Sequence, residues 1–407
     1  MTTHITRREG AAALFDSNGE ARAARPSRRR IATRMVHVFA ALACAAALVG
    51  CGGSDDPAPQ KIIIDSDYNT MSDDGQLGVM AAQLQAQGKI KVMGISVVSG
   101  NQWLKQGVAD ALKSVERLGV GSQIGIYAGA NYALSHSFAT IQSEMAAGVG
   151  GDGYLGAWGT PEPLTDADLV APPDGFALYT AVQTKSAVDF IVDTVKANPN
   201  EITILAIGPL TNIAQAVRRN PEIVPMIKKI IYMGGAVDVA GNTTNTAEFN
   251  WWFDPEAVQT VLRLPIPQVV VPLDVTDTVS LTAPIYNRIA HPAKPGLIAA
   301  IFQKLNGYGF DGKNGFETNP NYTQNIWDTL TLAYLIDPSF ATETTSEYLD
   351  VVTTVGVDDG RSIGYKEAPP AGVTLQKMTV VKKFDNARFF EFYVDLLTRP
   401  VPVSLGN

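Results

Sequence analysis

Six short runs, at residues 61–65, 91–98, 124–128, 202–207, 229–233 and 268–273, read as strands, and several of them are apolar nearly throughout. A strand with no polar face must be covered on both faces, which is the situation of a parallel sheet between layers of helix. Between these runs, residues 76–85, 104–118, 186–197, 212–218 and 255–264 space their apolar side chains as helices do and carry flanking stop signals. The chain is therefore expected to be an α/β protein with a mainly parallel central sheet and helices on both faces. In such folds ligands gather at the carboxyl ends of the strands. No linker divides residues 61–400, and no internal repeat is apparent, so they are expected to form one domain.

The first fifty residues follow different rules. Arg28, Arg29, Arg30 and Arg34 precede an apolar run over 36–49, shorter than the roughly 20 residues a spanning helix needs, and Leu48-Val49-Gly50-Cys51 follows. The pattern resembles the signal and lipobox of bacterial lipoproteins, which implies lipidation at Cys51 and a flexible tether over 51–60. Residues 1–34 read as a disordered extension, Met35 is a candidate start, and Ser27-Arg28-Arg29-Arg30 also fits a weak twin-arginine pattern. The expected location is the bacterial cell envelope, on the periplasmic or extracellular face, with membrane contact through the lipid anchor only. The competing reading, a membrane-spanning anchor, is disfavoured by length. Cys44 and Cys51 are the two cysteines, so the mature chain has no intrachain disulfide and must take its stability from its core. Subtracting the eight arginines and three acids of the first fifty residues leaves 24 basic and 37 acidic side chains, a formal charge of −13. That balance argues against nucleic acid as a partner.

Four aspartates, Asp65, Asp67, Asp73 and Asp74, crowd the junction between the first strand and the first helix. Carboxylates at such density repel one another unless a cation lies among them, and hard oxygen ligands suit Ca²⁺ or Mg²⁺. The simpler alternative is that Ser72 or Asp73 caps the helix and the rest are solvated turn residues. Asn101 follows the second strand and Gly208-Pro209 the fourth, so the polar residues collect at one rim. Beyond the fifth strand, Asn242, Glu248 and Asn250 offer amides and a carboxylate that could hold several hydroxyls. Phe249, Trp251, Trp252 and Phe253 either wall a pocket or pack a helix, and Asp328 opens another helix and could be a simple cap. The mature chain holds His136 and His291 alone, which excludes a multi-histidine zinc site. His291 reads as a helix-end residue, and His136 as part of a mobile loop with a minor prospect of touching ligand. Neither a phosphate-binding loop nor a dinucleotide fingerprint occurs.

Six segments together carry a resemblance: the aspartate-rich stretch at 61–80; Gly94-Ile95-Ser96-Val97-Val98-Ser99-Gly100-Asn101; Ile204-Leu205-Ala206-Ile207-Gly208-Pro209-Leu210-Thr211-Asn212; Met233-Gly234-Gly235; Ala247-Glu248-Phe249-Asn250 with Asp254-Pro255-Glu256-Ala257; and Val271-Pro272-Leu273-Asp274-Val275-Thr276. In this order the chain resembles the inosine-uridine-preferring nucleoside hydrolase family from about residue 61 to about 399. The resemblance implies Ca²⁺-dependent hydrolysis of the N-glycosidic bond of ribonucleosides to ribose and free base. It also implies roles. Asp67 would ligate calcium and take a proton from the attacking water, Asp74 and Asp328 would complete the carboxylate ligands, and the Ile207 carbonyl would be the remaining protein ligand. Asp73, Asn101 and Asn250 would meet the ribose 2′- and 3′-hydroxyls, and Asn242 with Glu248 the 5′-hydroxyl. Assembly into homo-dimers or homo-tetramers is likewise implied.

Two departures from the family pattern stand out. The stretch Tyr68-Asn69-Thr70-Met71-Ser72 between Asp67 and Asp73 is two residues longer than usual, so the loop must bulge, and Asn69 could enter the site. Trp327 stands before Asp328 where many members carry a histidine that protonates the leaving base; indole cannot act as that acid but can stack on a base. Tyr308, Tyr322, His136 or solvent are then the candidate donors. The alternatives are hydrolysis of another N-riboside, or a lipoprotein that binds ribose or nucleosides without turnover.

Overall fold

A computed structural model describes residues 57–70, 72–148, 153–308 and 313–401; the expected signal sequence and Cys51 lie outside them. All six expected strands form: β1 (Gln60–Ser66), β2 (Ile90–Val97), β3 (Ile126–Ala128), β4 (Thr203–Ala206), β5 (Lys229–Met233) and β6 (Gln268–Val271). Five more follow, β7 (Ser280–Thr282), β8 (Thr323–Asn325), β9 (Ala341–Val351), β10 (Ser362–Tyr365) and β11 (Lys377–Phe384). The helices are α1 (Asp73–Ala86), α2 (Leu104–Arg117), α3 (Phe138–Ala146), α4 (Ala187–Ala197), α5 (Thr211–Arg219), α6 (Phe249–Phe253), α7 (Pro255–Leu262), α8 (Leu273–Thr276), α9 (Ala283–Ala290), α10 (Leu297–Asn306), α11 (Thr329–Ile336) and α12 (Asn386–Thr398).

Nine strands make one sheet in the order β10-β9-β11-β6-β5-β4-β1-β2-β3. Every pair from β11 to β3 is parallel, while β9 runs antiparallel to both β10 and β11. The sheet is therefore mixed at one edge. Strands β7 and β8 form a separate antiparallel ribbon.

Strand β1 explains why its sequence has no polar face. Ile62 and Ile64 join one apolar cluster with Leu77 and Met80 of α1 and Phe389 and Tyr393 of α12, whereas Ile63 joins the opposite cluster with Phe190, Ile191, Ile213 and Val258. Each of the three isoleucines is at most 1 % exposed, and burial of such a side chain is worth about 1.5–3 kcal/mol. Helix α1 is buried along nearly its whole length, through Leu84, because the sheet lies on one side and α11 and α12 on the other. Its Gln76 is reached by the Tyr393 hydroxyl at 2.6 Å. Among the described residues, no helix is long and apolar enough to cross a membrane.

From β1 the chain moves outward through β2 and β3, then returns to place β4, β5 and β6 on the other side of β1. The connections reverse between β1 and β4. A crevice opens at such a switch point, beyond the carboxyl ends of the strands, and that is where Asp67 and Ile207 emerge.

Candidate active site

The four aspartates near β1 divide into two groups. Asp65 is sealed into the sheet: its Oδ1 accepts hydrogen bonds from the Ser96 hydroxyl and from Asn212 Nδ2, and burial pushes its pKa up to about 6. Asn212 also accepts from the Ala130 amide at 2.8 Å and donates to the Val97 carbonyl. This buried knot fixes the ends of β1 and β2. Of the other three, Asp67 and Asp73 line the crevice with Asp328, and Asp74 lies buried next to them.

Asp67 is held from one side only. Its Oδ2 accepts from the Asn101 amide at 2.7 Å, while Oδ1 is buried without a partner. Two glycines make room for it: a Cβ on Gly100 would lie 2.2 Å from Oδ2, and one on Gly208 would lie 2.6 Å from the Asp67 nitrogen and 2.8 Å from Oδ1. Asp74 accepts from Ser66 Oγ at 2.6 Å, Asn101 Nδ2 at 3.0 Å and Ser72 Oγ at 3.2 Å. Asp73 accepts from the Asp328 amide at 3.3 Å.

The capping alternative fails at both helices. Ser72 and Asp328 occupy the N-cap positions of α1 and α11, but neither side chain caps its helix. Instead, carboxylate oxygens of Asp73, Asp74 and Asp328 gather within 4.8 Å of one another, all buried. Two ionised carboxylates at that separation repel by about 3–4 kcal/mol even in a well-screened protein environment. Burial, reinforced by Asp74, pushes the Asp67 pKa far up; burial, reinforced by Asp73, does the same for Asp328. Asp73 rises to about 6, chiefly by burial, and Asp74 to about 8 by burial and the charge of Asp73. A group this crowded needs protons or a cation, and its all-oxygen donors, with the orphaned Asp67 Oδ1 beside them, fit a hard divalent ion.

A pH dependence follows for metal-free protein. Both carboxyls titrate above their ordinary 3.8, so the folded state keeps protons that the unfolded chain has released. The resulting stability is complete below about pH 4 and is lost as pH rises through about 6 for Asp73 and about 8 for Asp74. In the presence of a chelator, the melting temperature is expected to fall between about pH 5 and pH 8.5 more steeply than in Asp74→Asn. Equal slopes in the two proteins would show that the cluster does not carry this charge.

The crevice contains a cavity of ≈ 270 Å³, near the lower end of the range for small-molecule sites. Of the residues singled out in the sequence, Asp67, Asp73, Asn101, Ile207, Asn242, Glu248, Asn250, Trp327 and Asp328 line it, and Asp74 sits behind Asn101. Glu248 also caps α6: its carboxylate accepts from the amides of Gly235, Asn250 and Trp251, while burial pushes its pKa up to about 7. Asn242 Oδ1 accepts from the Phe249 amide, and Asn250 Nδ2 donates to the Met233 carbonyl. Trp327 donates its indole N–H to Asp277 at 2.8 Å. Trp251 is wholly buried in the core, whereas Phe249 is a wall of the cavity.

Asn69, from the longer loop, does enter the site, and it also borders an adjoining cavity of ≈ 800 Å³. Tyr322 lines that larger cavity, while Tyr308 lines neither and is 44 % exposed. Two features escape sequence reasoning. Tyr154 lines the smaller cavity, packs on Phe249 with ring centroids 5.0 Å apart, and donates to the Asn101 carbonyl; no periodicity marks its segment. The need for glycine at 100 and 208 is invisible until Asp67 is seen between them. The histidine expectations differ in outcome. His291 ends α9 and pairs with Glu317 at 2.8 Å. His136 is no mobile ligand contact: it is 5 % exposed, bound to Asp359, and lines neither cavity.

The chain is 30 % identical to the pyrimidine-specific ribonucleoside hydrolase RihB of Escherichia coli O9:H4 (strain HS) over 75 % of its own length and 87 % of that protein. An uncharacterized protein of Schizosaccharomyces pombe is 31 % identical over 83 % of this chain and 99 % of its own. Among solved structures, the purine-preferring ribonucleoside hydrolase from Gardnerella vaginalis superposes with a TM-score of 0.65 at 25 % identity, covering 83 % of this chain and 98 % of that one. A plant nucleoside hydrolase, the PpNRh1 enzyme, shares the fold with a TM-score of 0.68 at 22 % identity, over 84 % of this chain and 100 % of that one. The family model described as "Inosine-uridine preferring nucleoside hydrolase" matches residues 62–391, and this chain belongs to that family.

Proposed function

We propose that this protein hydrolyses the N-glycosidic bond of ribonucleosides with the help of Ca²⁺, releasing ribose and free base. The observation that carries the reading is the Asp67 carboxylate, fixed through one oxygen by the Asn101 amide while the other is buried without a partner, within the field of Asp73, Asp74 and Asp328. A binding protein has no need of a base held in that way. Asp67, Asp74, Asp328 and the Ile207 carbonyl would hold the ion, which when bound offsets their mutual repulsion and makes water more acidic.

The residues divide the remaining work. Cleavage of a riboside passes through an oxocarbenium-like state in which positive charge grows on the sugar, and the carboxylates along one wall stabilise that charge. Asp67 Oδ1 takes the proton of the attacking water as general base. Asp73, Asn101 and Asn250 orient the 2′- and 3′-hydroxyls, and Asn242 with Glu248 the 5′-hydroxyl. The test is incubation of the protein with a panel of nucleosides; free base and ribose in equal amounts support the proposal, and tight binding with no release defeats it.

Base specificity is not carried over from the relatives, whose names include a pyrimidine-specific and a purine-preferring enzyme. Trp327 lines the cavity with its N–H tied to Asp277, which leaves the ring for stacking on the base rather than for proton transfer. Stacking of about 1–3 kcal/mol corresponds to a rise of about 5- to 150-fold in KM for Trp327→Ala. Kinetics on inosine, uridine and p-nitrophenyl riboside check this; an unchanged KM with equal losses of kcat on all three would assign Trp327 to the positioning of Asp328 instead.

For the cell envelope, the proposal is that the lipobox tethers the enzyme through Cys51. Fractionation should then find the protein with membranes and a Cys51→Ala variant largely released. Tight membrane retention of that variant would contradict a lipid tether.

A further inference from the structure

A second buried cluster of metal-ligating side chains lies away from the cavity. His136 follows β3, Glu144 is on α3, and Asp359 is in the connection between β9 and β10; one ligand atom from each falls within 4.8 Å of the others. All three are at most 5 % exposed. His136 Nε2 and Asp359 Oδ2 are 2.8 Å apart, yet His136 Nδ1 and Asp359 Oδ1 remain buried without partners, as does Glu256 Oε2. Glu144 receives a long 3.4 Å bond from the Gly356 amide. The His136–Asp359 pair and the approach of Glu144 to Asp359 leave His136 Nδ1, Asp359 Oδ1 and Glu256 Oε2 unmatched, a costly arrangement in a buried place.

We propose that His136, Glu144 and Asp359 form a structural site for a divalent transition-metal ion of the zinc class, distinct from the all-oxygen cluster at Asp67. The donor set decides the class: one imidazole with carboxylates suits zinc and its neighbours, whereas calcium takes oxygen alone. Three carboxylates, Glu144, Asp359 and Glu256, stand near the single His136, so acidic side chains outnumber basic ones in the cluster. Ligands bonded to zinc at about 2.0–2.2 Å stand roughly 3.3 Å apart, between the 2.8 Å of the His136–Asp359 contact and the 4.8 Å limit of the cluster, so side-chain rotation suffices to reach that spacing. The position gives the ion a purpose. The His136 ring packs edge-on against Trp252 of α6 with centroids 5.8 Å apart, and the backbone at Gly360 lies against the same tryptophan. Two residues before Trp252 on α6, Asn250 lines the cavity. The metal would fasten three segments to the back of the helix that presents Asn250 to substrate.

The test loads chelator-stripped protein with Zn²⁺ in excess Ca²⁺, so that calcium holds the aspartate cluster, and measures retained zinc by mass spectrometry after dialysis. One equivalent is expected, with a rise in melting temperature. His136→Ala and the nearly isosteric Glu144→Gln should each weaken zinc binding at least about tenfold, the loss of one ligand. Asp328→Asn, which alters the aspartate cluster, should leave it unchanged. Co²⁺ in place of zinc should give visible absorption bands that change in His136→Ala, and Glu144→Gln keeps the test informative if the alanine variant fails to fold. No retained zinc in the unaltered protein, or zinc binding that survives in both folded variants, would overturn the proposal.

Discussion

Asp67→Asn is expected to lower kcat by about 10²–10⁴-fold, the usual worth of a positioned general base. The amide preserves the size of the side chain and can still accept the bond from the Asn101 amide, so the loss should come from chemistry rather than from folding. It also removes one charge from a group of four buried carboxylates. The metal-free variant should therefore melt no lower than the metal-free parent at about pH 8, where repulsion is greatest. Kinetics and calorimetry on the same preparations separate the two effects. A variant that retains most of its turnover would mean that another group activates the water.

Gly100→Ala should be nearly as damaging, although it adds one methyl group and removes nothing polar. The new carbon would stand 2.2 Å from Asp67 Oδ2 and 2.6 Å from its Cβ, so the Asp67 side chain, the proposed base, must shift by an ångström or so. Displacements of that size cost on the order of 10²-fold in rate, and such overpacking costs about 1–3 kcal/mol of stability. Gly296→Ala is the control, since a Cβ there meets nothing within 4 Å and its φ lies outside the left-handed region. A kcat loss in Gly100→Ala with none in Gly296→Ala locates the effect at Asp67. Equal and small effects in both would mean that the crevice tolerates movement of its base.

The central strands were legible because burial on both faces leaves a sequence no choice: residues such as Ile62, Ile63 and Ile64 cannot alternate with polar ones when both neighbouring layers are apolar. The sheet's far edge was not legible for the opposite reason. Strand β9 begins Ala-Thr-Glu-Thr-Thr-Ser-Glu, largely open to solvent, and no apolar run announces it. At the site, the acidic residues were found as a density of charge along the chain, which identifies Asp67, Asp73 and Asp74 but also sweeps in Asp65, whose bonds to Ser96 and Asn212 make it part of the scaffold. Separation of the two roles requires knowing which carboxyl the sheet buries among hydrogen-bond donors. His136 shows the same limit. A polar stretch of sequence suggests a mobile loop, and the contacts that bury His136, Asp359 and Trp252, come from more than a hundred residues away.

The fold brings Asp67, Asp73, Asp74 and Asp328 near one another beyond the ends of β1 and β4 at a cost in repulsion, and the proposed function assigns a hard cation to offset that cost. The most direct measurement is hydrolysis of inosine, uridine, adenosine and cytidine by the purified protein, with free base and ribose quantified in Ca²⁺, in a chelator, and after calcium is restored. The account predicts equimolar base and ribose from at least one nucleoside, abolished by the chelator and recovered with calcium. Nucleosides that bind but stay intact, or hydrolysis that proceeds unchanged in the chelator, would contradict it.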